Sequence, residues 1–224
     1  MRRLIPLLLA LLCTASPGPA NAGAWLREPG RSFLSTAGTL RRGDPDARQE
    51  VSVYAEYGLS PRLTFGADVN ERPGITGHAT LFARLPLNRP DARNRLALES
   101  ALGGHHWRGD WDPMYRLSLS YGRGFITRRG ALGWLDIAAG YERRLGMTRP
   151  IYKLDATLGL SAPGRIHPVL QVETAHIPGR SLIWAVAPGV LIDTRRNASW
   201  LIGLERKSAG RDTVGLRIAL WQWF

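Results

Sequence analysis

The final thirteen residues, Asp212 to Phe224, read DTVGLRIALWQWF and restrict the fold more than any other stretch. Val214, Leu216, Ile218, Leu220 and Phe224 fall on one face at period two, while Thr213, Gly215, Arg217 and Ala219 fall on the other. That is a β-strand with one apolar face and one small or charged face. Such a strand either packs its apolar face on a second sheet, as in a soluble sandwich, or belongs to a sheet closed inside a bilayer. In the second case the apolar side meets lipid and the polar side faces a lumen.

The other end of the chain favours the bilayer. Met1 to Ala22 has a basic start at Arg2 and Arg3, an apolar run from Leu4 to Leu12, a break at Ser16-Pro17-Gly18-Pro19, and the small-residue pattern Ala20-Asn21-Ala22. Together these predict a secretory signal peptide cleaved after Ala22. Leu12 before Cys13 is too large for a lipid-anchor site, so Cys13 is expected to leave with the signal. The domain organisation is therefore 1–22 signal peptide and 23–224 barrel. Cys13 is the only cysteine, which rules out a disulfide framework or a Cys-based metal site in the mature chain. After residue 22 no run approaches the eighteen or so apolar residues of a spanning helix, so in a membrane only a closed barrel is possible.

The terminal strand also carries a resemblance. Its Phe224, preceded by apolar residues at alternate positions, is similar to the last strand of small Gram-negative outer-membrane β-barrels of transporter-like, uncharacterised kind. Gln222 departs from their pattern, standing where an apolar or Tyr residue is usual. The resemblance implies residence in the outer membrane among lipid and lipopolysaccharide, and implies that Phe224 is an assembly signal read by the barrel-assembly machinery. The formal charge of +12, almost all arginine, fits attraction to anionic lipopolysaccharide. It does not point to nucleic acid, for which the chain has no compact basic block or binding motif.

Alternating segments of about ten residues recur along the chain between Gly, Pro, Asn, Asp and Arg clusters. They predict an all-β, single antiparallel transmembrane barrel of about twelve strands. The strands run over 32–40, 49–57, 62–71, 76–85, 95–102, 114–122, 133–142, 152–160, 169–175, 182–192, 198–206 and 212–224. Arg41 to Arg48 reads as a charged loop, and Gly103 to Pro113 as another, with Trp107 and Trp111 dipping toward headgroups. The connections are too short for a plug domain. With odd strands running outward, Tyr57, Tyr121, Trp200 and Phe224 fall near one membrane interface, and Tyr115, Tyr141, Tyr152 and Trp184 near the other. Strict alternation turns Trp221 and Trp223 inward.

The same register turns Glu56, Asp68, Glu99, Asp136, Glu142, Asp155, Glu173 and Glu205 inward, with Arg84, Arg95, Arg116, Lys153 and Arg217. Opposite charges in a narrow barrel can pair across strands and hold it closed, or they can line a hydrated pore for a small polar solute. The function expected is a narrow passive channel. A lipid-modifying hydrolase is the alternative, because small barrels of two hydrolase families resemble this one in size and carry a His two residues before a nucleophilic Ser. None of the five His here has that spacing, and His78-Ala79-Thr80 comes nearest. His105 and His106 beside Asp110 and Asp112 suggest a loop metal site, but adjacent residues of an extended chain point apart. No catalytic residue, metal or cofactor is therefore assigned.

Overall fold

The computed structural model describes residues 23–42, 49–89, 91–161, 164–195, 197–208 and 212–224. The expected signal peptide, Cys13 and most of the loop before Gln49 lie outside them. Twelve strands, all antiparallel to their neighbours, form one closed barrel: β1 (Ser32–Arg42), β2 (Gln49–Ser60), β3 (Leu63–Arg72), β4 (Thr76–Pro86), β5 (Asn94–Trp107), β6 (Asp110–Ile126), β7 (Leu132–Arg144), β8 (Ile151–Ser161), β9 (Ile166–His176), β10 (Ile183–Arg195), β11 (Ala198–Ser208) and β12 (Asp212–Trp223). Each pairs with the next in sequence, and β12 returns to β1, with Phe33 opposite Trp223 and Leu40 opposite Leu216. Closure leaves no edge strand, so every ladder hydrogen bond is made within the sheet, the condition for a sheet in hydrocarbon.

The period-two pattern settles which way side chains point. Leu98, Leu117, Leu119, Leu154, Leu158, Leu216 and Ile218 are exposed on the outer wall, with Val51, Val53, Phe65, Leu81 and Ile202. So much apolar surface on a folded domain marks a lipid contact. Tyr115, Tyr141 and Tyr152 form a row of touching rings with centroids 6.3 and 5.8 Å apart, at the end of the barrel away from the chain termini. Tyr57, Trp200 and Phe224 are exposed near the end that holds the termini, called the terminal mouth below.

Two stretches differ from the expectation. Arg41 and Arg42 continue β1 rather than opening the loop. Gly103 to Pro113 is a long hairpin rather than a loop: β5 and β6 stay paired from Asn94↔Arg123 to Trp107↔Asp110 around the two-residue turn Arg108-Gly109. Both turn residues have positive φ (53° and 99°), which matches the right-handed twist of the flanking strands. β5 and β6 therefore run to 14 and 17 residues, well beyond the ~10 that cross a bilayer.

Candidate functional site

Among the described residues, most of the barrel's interior charges fall into three clusters. In the first, Arg84 on β4 is 2% exposed and bound on several sides. Its Nη1 donates to Glu56 Oε1 (2.5 Å), and its Nη2 to Glu99 Oε2 (2.7 Å) and the Tyr54 hydroxyl (2.7 Å). The Phe82 ring lies against the guanidinium and stacks on Tyr54 with centroids 5.4 Å apart. Arg116 extends the cluster to Asp68 Oδ2 (3.1 Å) and Glu99 Oε1 (3.4 Å), and His78 Nε2 lies 3.3 Å from the same Asp68 oxygen. Buried charges persist only when partnered in this way.

The second cluster centres on Glu50, which meets Arg41 (2.7 Å), Arg72 (2.9 Å), Asn70 (2.9 Å) and Lys207 (3.6 Å); Arg41 also reaches Glu205 (2.7 Å). The third is looser. Arg217 donates to Glu173 (2.9 Å), while Lys153 and Asp155 stand 3.8 Å apart.

Two cavities open among these clusters. The larger, about 360 Å³, is lined by Glu50, Glu56, Asp68, Lys153, Asp155, Glu173, Glu205 and Arg217 on its polar side. Phe33, Tyr54, Trp134, Trp221 and Trp223 also line it. The smaller, about 200 Å³, lies among Asp68, Arg84, Glu99, Arg116, Ser118 and Ser120. Gly23, Tyr54, Asp68, Lys153 and Asp155 line both.

Of the remaining residues assigned inward from sequence, Asp136 is buried beside Ser120 and Gly23, and Glu142 accepts a hydrogen bond from Arg144 Nε (2.6 Å). Arg95 differs: its Nη1 reaches Arg89 O (3.3 Å) in an exposed turn at the terminal mouth. Phe224 is exposed, with its backbone on the β1 seam.

The hydrolase geometry is not assembled. Thr80 Oγ1 donates to the backbone oxygen of Asp68 (3.4 Å), and His78 Nε2 turns to the Asp68 carboxylate, so hydroxyl and imidazole face a third residue rather than each other. His105 and His106 likewise separate. His105 Nε2 lies 3.1 Å from Leu145 O, whereas His106 Nε2 lies 2.8 Å from Glu71 with its ring against Trp111. Neither belongs to a solvated loop, since both are buried in β5.

Two features escaped the sequence reading. The lumen carries an aromatic layer near the terminal mouth, where Phe33 touches Trp221 and Trp223 with centroids 5.9 and 5.7 Å apart. The inward parity of Trp221 and Trp223 was the available signal. Residues 23–31 also fold into the same mouth. The Ala24 N–H donates to Asp136 Oδ2 (2.8 Å) and the Arg27 N–H to Thr64 Oγ1 (2.8 Å). The Arg27 guanidinium pairs with Glu56 and lies 4.5 Å from the Phe33 ring centroid. Gly58 and Gly122 make room for this strap. A Cβ at Gly58 would stand 2.1 Å from Glu28 O, and one at Gly122 would stand 2.6 Å from the Trp25 ring. The strap carries no alternation and so gave no signal.

In sequence the chain matches no family model and no curated protein. In three dimensions it is similar to solved outer-membrane barrels. One is the KdgM porin in complex with disordered oligogalacturonate, with TM-score 0.56 and 9% identity over 85% of this chain and 98% of that one. Another is an outer membrane channel from Pseudomonas putida F1, with TM-score 0.57 and 11% identity over 91% and 99%. A third is LpxR from Salmonella typhimurium, with TM-score 0.58 and 7% identity over 86% and 100%. The fold is that of a small outer-membrane β-barrel, closed by twelve strands and without helices among the described residues.

Proposed function

We propose that the protein sits in the outer membrane of a Gram-negative bacterium and acts as a narrow passive channel for small hydrophilic solutes. The observation that carries this reading is the pair of adjoining cavities, about 360 and 200 Å³, lined by charges inside a barrel whose outer wall is apolar. A barrel filled only to stay closed would satisfy its interior charges against one another and leave no water-sized space between them. Here the third cluster is open: Arg217, Lys153, Asp155 and Glu173 border the larger cavity with room for a hydrated solute.

The clusters assign different duties to the lumen residues. Arg84 and Arg116 are held by Glu56, Glu99 and Asp68, so they brace the wall rather than attract passing anions. Glu205 does the same for Arg41. Selectivity falls to Lys153, Asp155, Glu173 and Arg217, whose charges are less enclosed. Porins and a channel are among the structural neighbours, which is consistent with transport. The LpxR likeness does not bring the hydrolase reading with it, because His78 and Thr80 do not meet. The test is conductance of the refolded protein in a planar bilayer, with release of fatty acid from phospholipid and lipopolysaccharide assayed on the same preparation. Discrete conductance without fatty-acid release supports the channel. No conductance from folded protein leaves a closed structural barrel as the account, and release that is lost in His78→Ala restores the hydrolase.

A further inference from the structure

Most buried carboxylates of the lumen have a basic partner. Glu56 has Arg84 and Arg27, Glu99 has Arg84 and Arg116, Glu142 has Arg144, and Glu205 has Arg41. Asp136 does not. It is 6% exposed, and among the described residues no Lys, Arg or His lies within ion-pairing distance of it; the charge of Arg84 acts on it only from farther off. What it does have is the strap. Its Oδ2 accepts the Ala24 N–H at 2.8 Å, and a Cβ built on Gly23 would stand 2.8 Å from Oδ1 and 3.2 Å from Ser120 Oγ. The Gly23 nitrogen and that position are two substituents of one Cα, about 2.5 Å apart, so the nitrogen of a freed terminus comes to the carboxylate by rotation of this first residue. Burying a carboxylate without a cation is costly, and one amide donor offsets only part of the cost.

We infer that the missing cation is the α-ammonium of Gly23, created by hydrolysis of the Ala22–Gly23 bond, and that its pair with Asp136 locks the strap into the terminal mouth of the barrel. The inference rests on the cleavage site expected from sequence but not on the channel reading. In the uncut chain the Gly23 nitrogen is a neutral amide. When water is added across the bond by a signal peptidase, the Ala22 carbonyl leaves as a carboxylate and the Gly23 nitrogen becomes –NH3+, free to turn toward Asp136. The cut thus supplies the charge where the lumen lacks it. Gly23 borders both cavities, so a seated ammonium stands where they adjoin. A side chain at position 23 would crowd the carboxylate, since a Cβ there would stand 2.8 Å from Oδ1.

The test uses the mature protein refolded in detergent micelles. Its first residue is established by intact mass, and its α-amino group is labelled with a limiting amount of an acetylating N-hydroxysuccinimide ester. Gly23 in the folded barrel should react about tenfold or more slowly than in the urea-unfolded chain, as a seated, paired ammonium requires. Asp136→Asn keeps an acceptor for Ala24 but removes the charge, and should bring the folded rate to within a few-fold of the unfolded one. Should that variant fail to fold, a second chain with Ser-Ala-Ser inserted before Gly23 leaves Asp136 intact and carries its ammonium elsewhere; its terminus should label at the unfolded rate. A mature chain that begins elsewhere than Gly23, or equal protection of the amine in wild type and Asp136→Asn, overturns the inference. Neither reading depends on conductance, so failure here is separable from failure of the channel.

Discussion

Arg84 and Glu99 face each other across β4 and β5 and are joined twice, with Arg84 Nε and Nη2 donating to the same Glu99 Oε2 at 3.2 and 2.7 Å. The pair is buried, and Glu56 and Tyr54 take two further guanidinium N–H groups. The arrangement makes Arg84 the keystone of the β2–β6 side of the wall.

Arg84→Met should therefore destabilise the barrel by about 3 kcal/mol, because Glu56 and Glu99 would lose the buried cation they share and keep only Arg27 and Arg116. The urea midpoint of the refolded protein in micelles measures it. Arg84→Met combined with Glu56→Gln and Glu99→Gln should recover a large part of the loss. If the single variant kept the wild-type midpoint, the cluster would not brace the wall.

The outer wall and the lumen alternate, so charge should be tolerated on one and not on the other. Leu119→Arg or Ile218→Arg, both on the exposed apolar face, should each cost roughly 2–4 kcal/mol in a bilayer. Ser118→Arg, one residue away and bordering the smaller cavity, should cost less. Folding titrations in lipid vesicles compare the three, and equal costs would contradict the register.

Phe224 closes the seam through its backbone. Its N–H donates to Ser32 O, and its carbonyl accepts from Ser32 N–H, both at 3.0 Å. Deleting Phe224 removes both bonds and the apolar end of the last strand, and should sharply lower the heat-modifiable, folded fraction in outer-membrane preparations. A normal folded fraction would remove the assembly role proposed for this residue.

Gly122→Val should unseat the strap, since even a Cβ there meets Trp25 and Ala24. The expected outcome is faster proteolysis within residues 23–31 while the twelve-strand core stays intact, measured by limited digestion and mass spectrometry. Unchanged digestion would mean that the strap is not held at this contact.

Twelve strands are legible in the sequence because lipid and lumen impose opposite chemistry on alternate residues, and segments such as Gln49 to Tyr57 and Arg95 to Leu102 record it directly. Where that contrast fades, so does legibility. Gly103-Gly104-His105-His106 has no apolar–polar alternation, and its pairing with β6 depends on a turn in which Arg108 takes a positive φ that its identity does not announce. Parity indicates which way Glu56, Asp68, Arg84 and Glu99 point, but not that Arg84 would bind Glu56, two strands away, as well as Glu99. That depends on curvature and on side-chain reach. Glu50 and Arg41 sit where the charged loop obscured the end of β1, and the strap is held by backbone donors and by the absence of side chains at Gly58 and Gly122.

The central claim is that solute passes beside Arg217, Lys153, Asp155 and Glu173, and single-channel recording in planar bilayers under a salt gradient tests it most directly. Wild-type protein should give discrete conductance steps, and Arg217→Gln, which removes a positive charge from the larger cavity while leaving the Arg84 cluster untouched, should shift the reversal potential toward cations without loss of folded barrel. Folded protein that gives no steps, or an Arg217→Gln channel with unaltered reversal potential, would contradict the account.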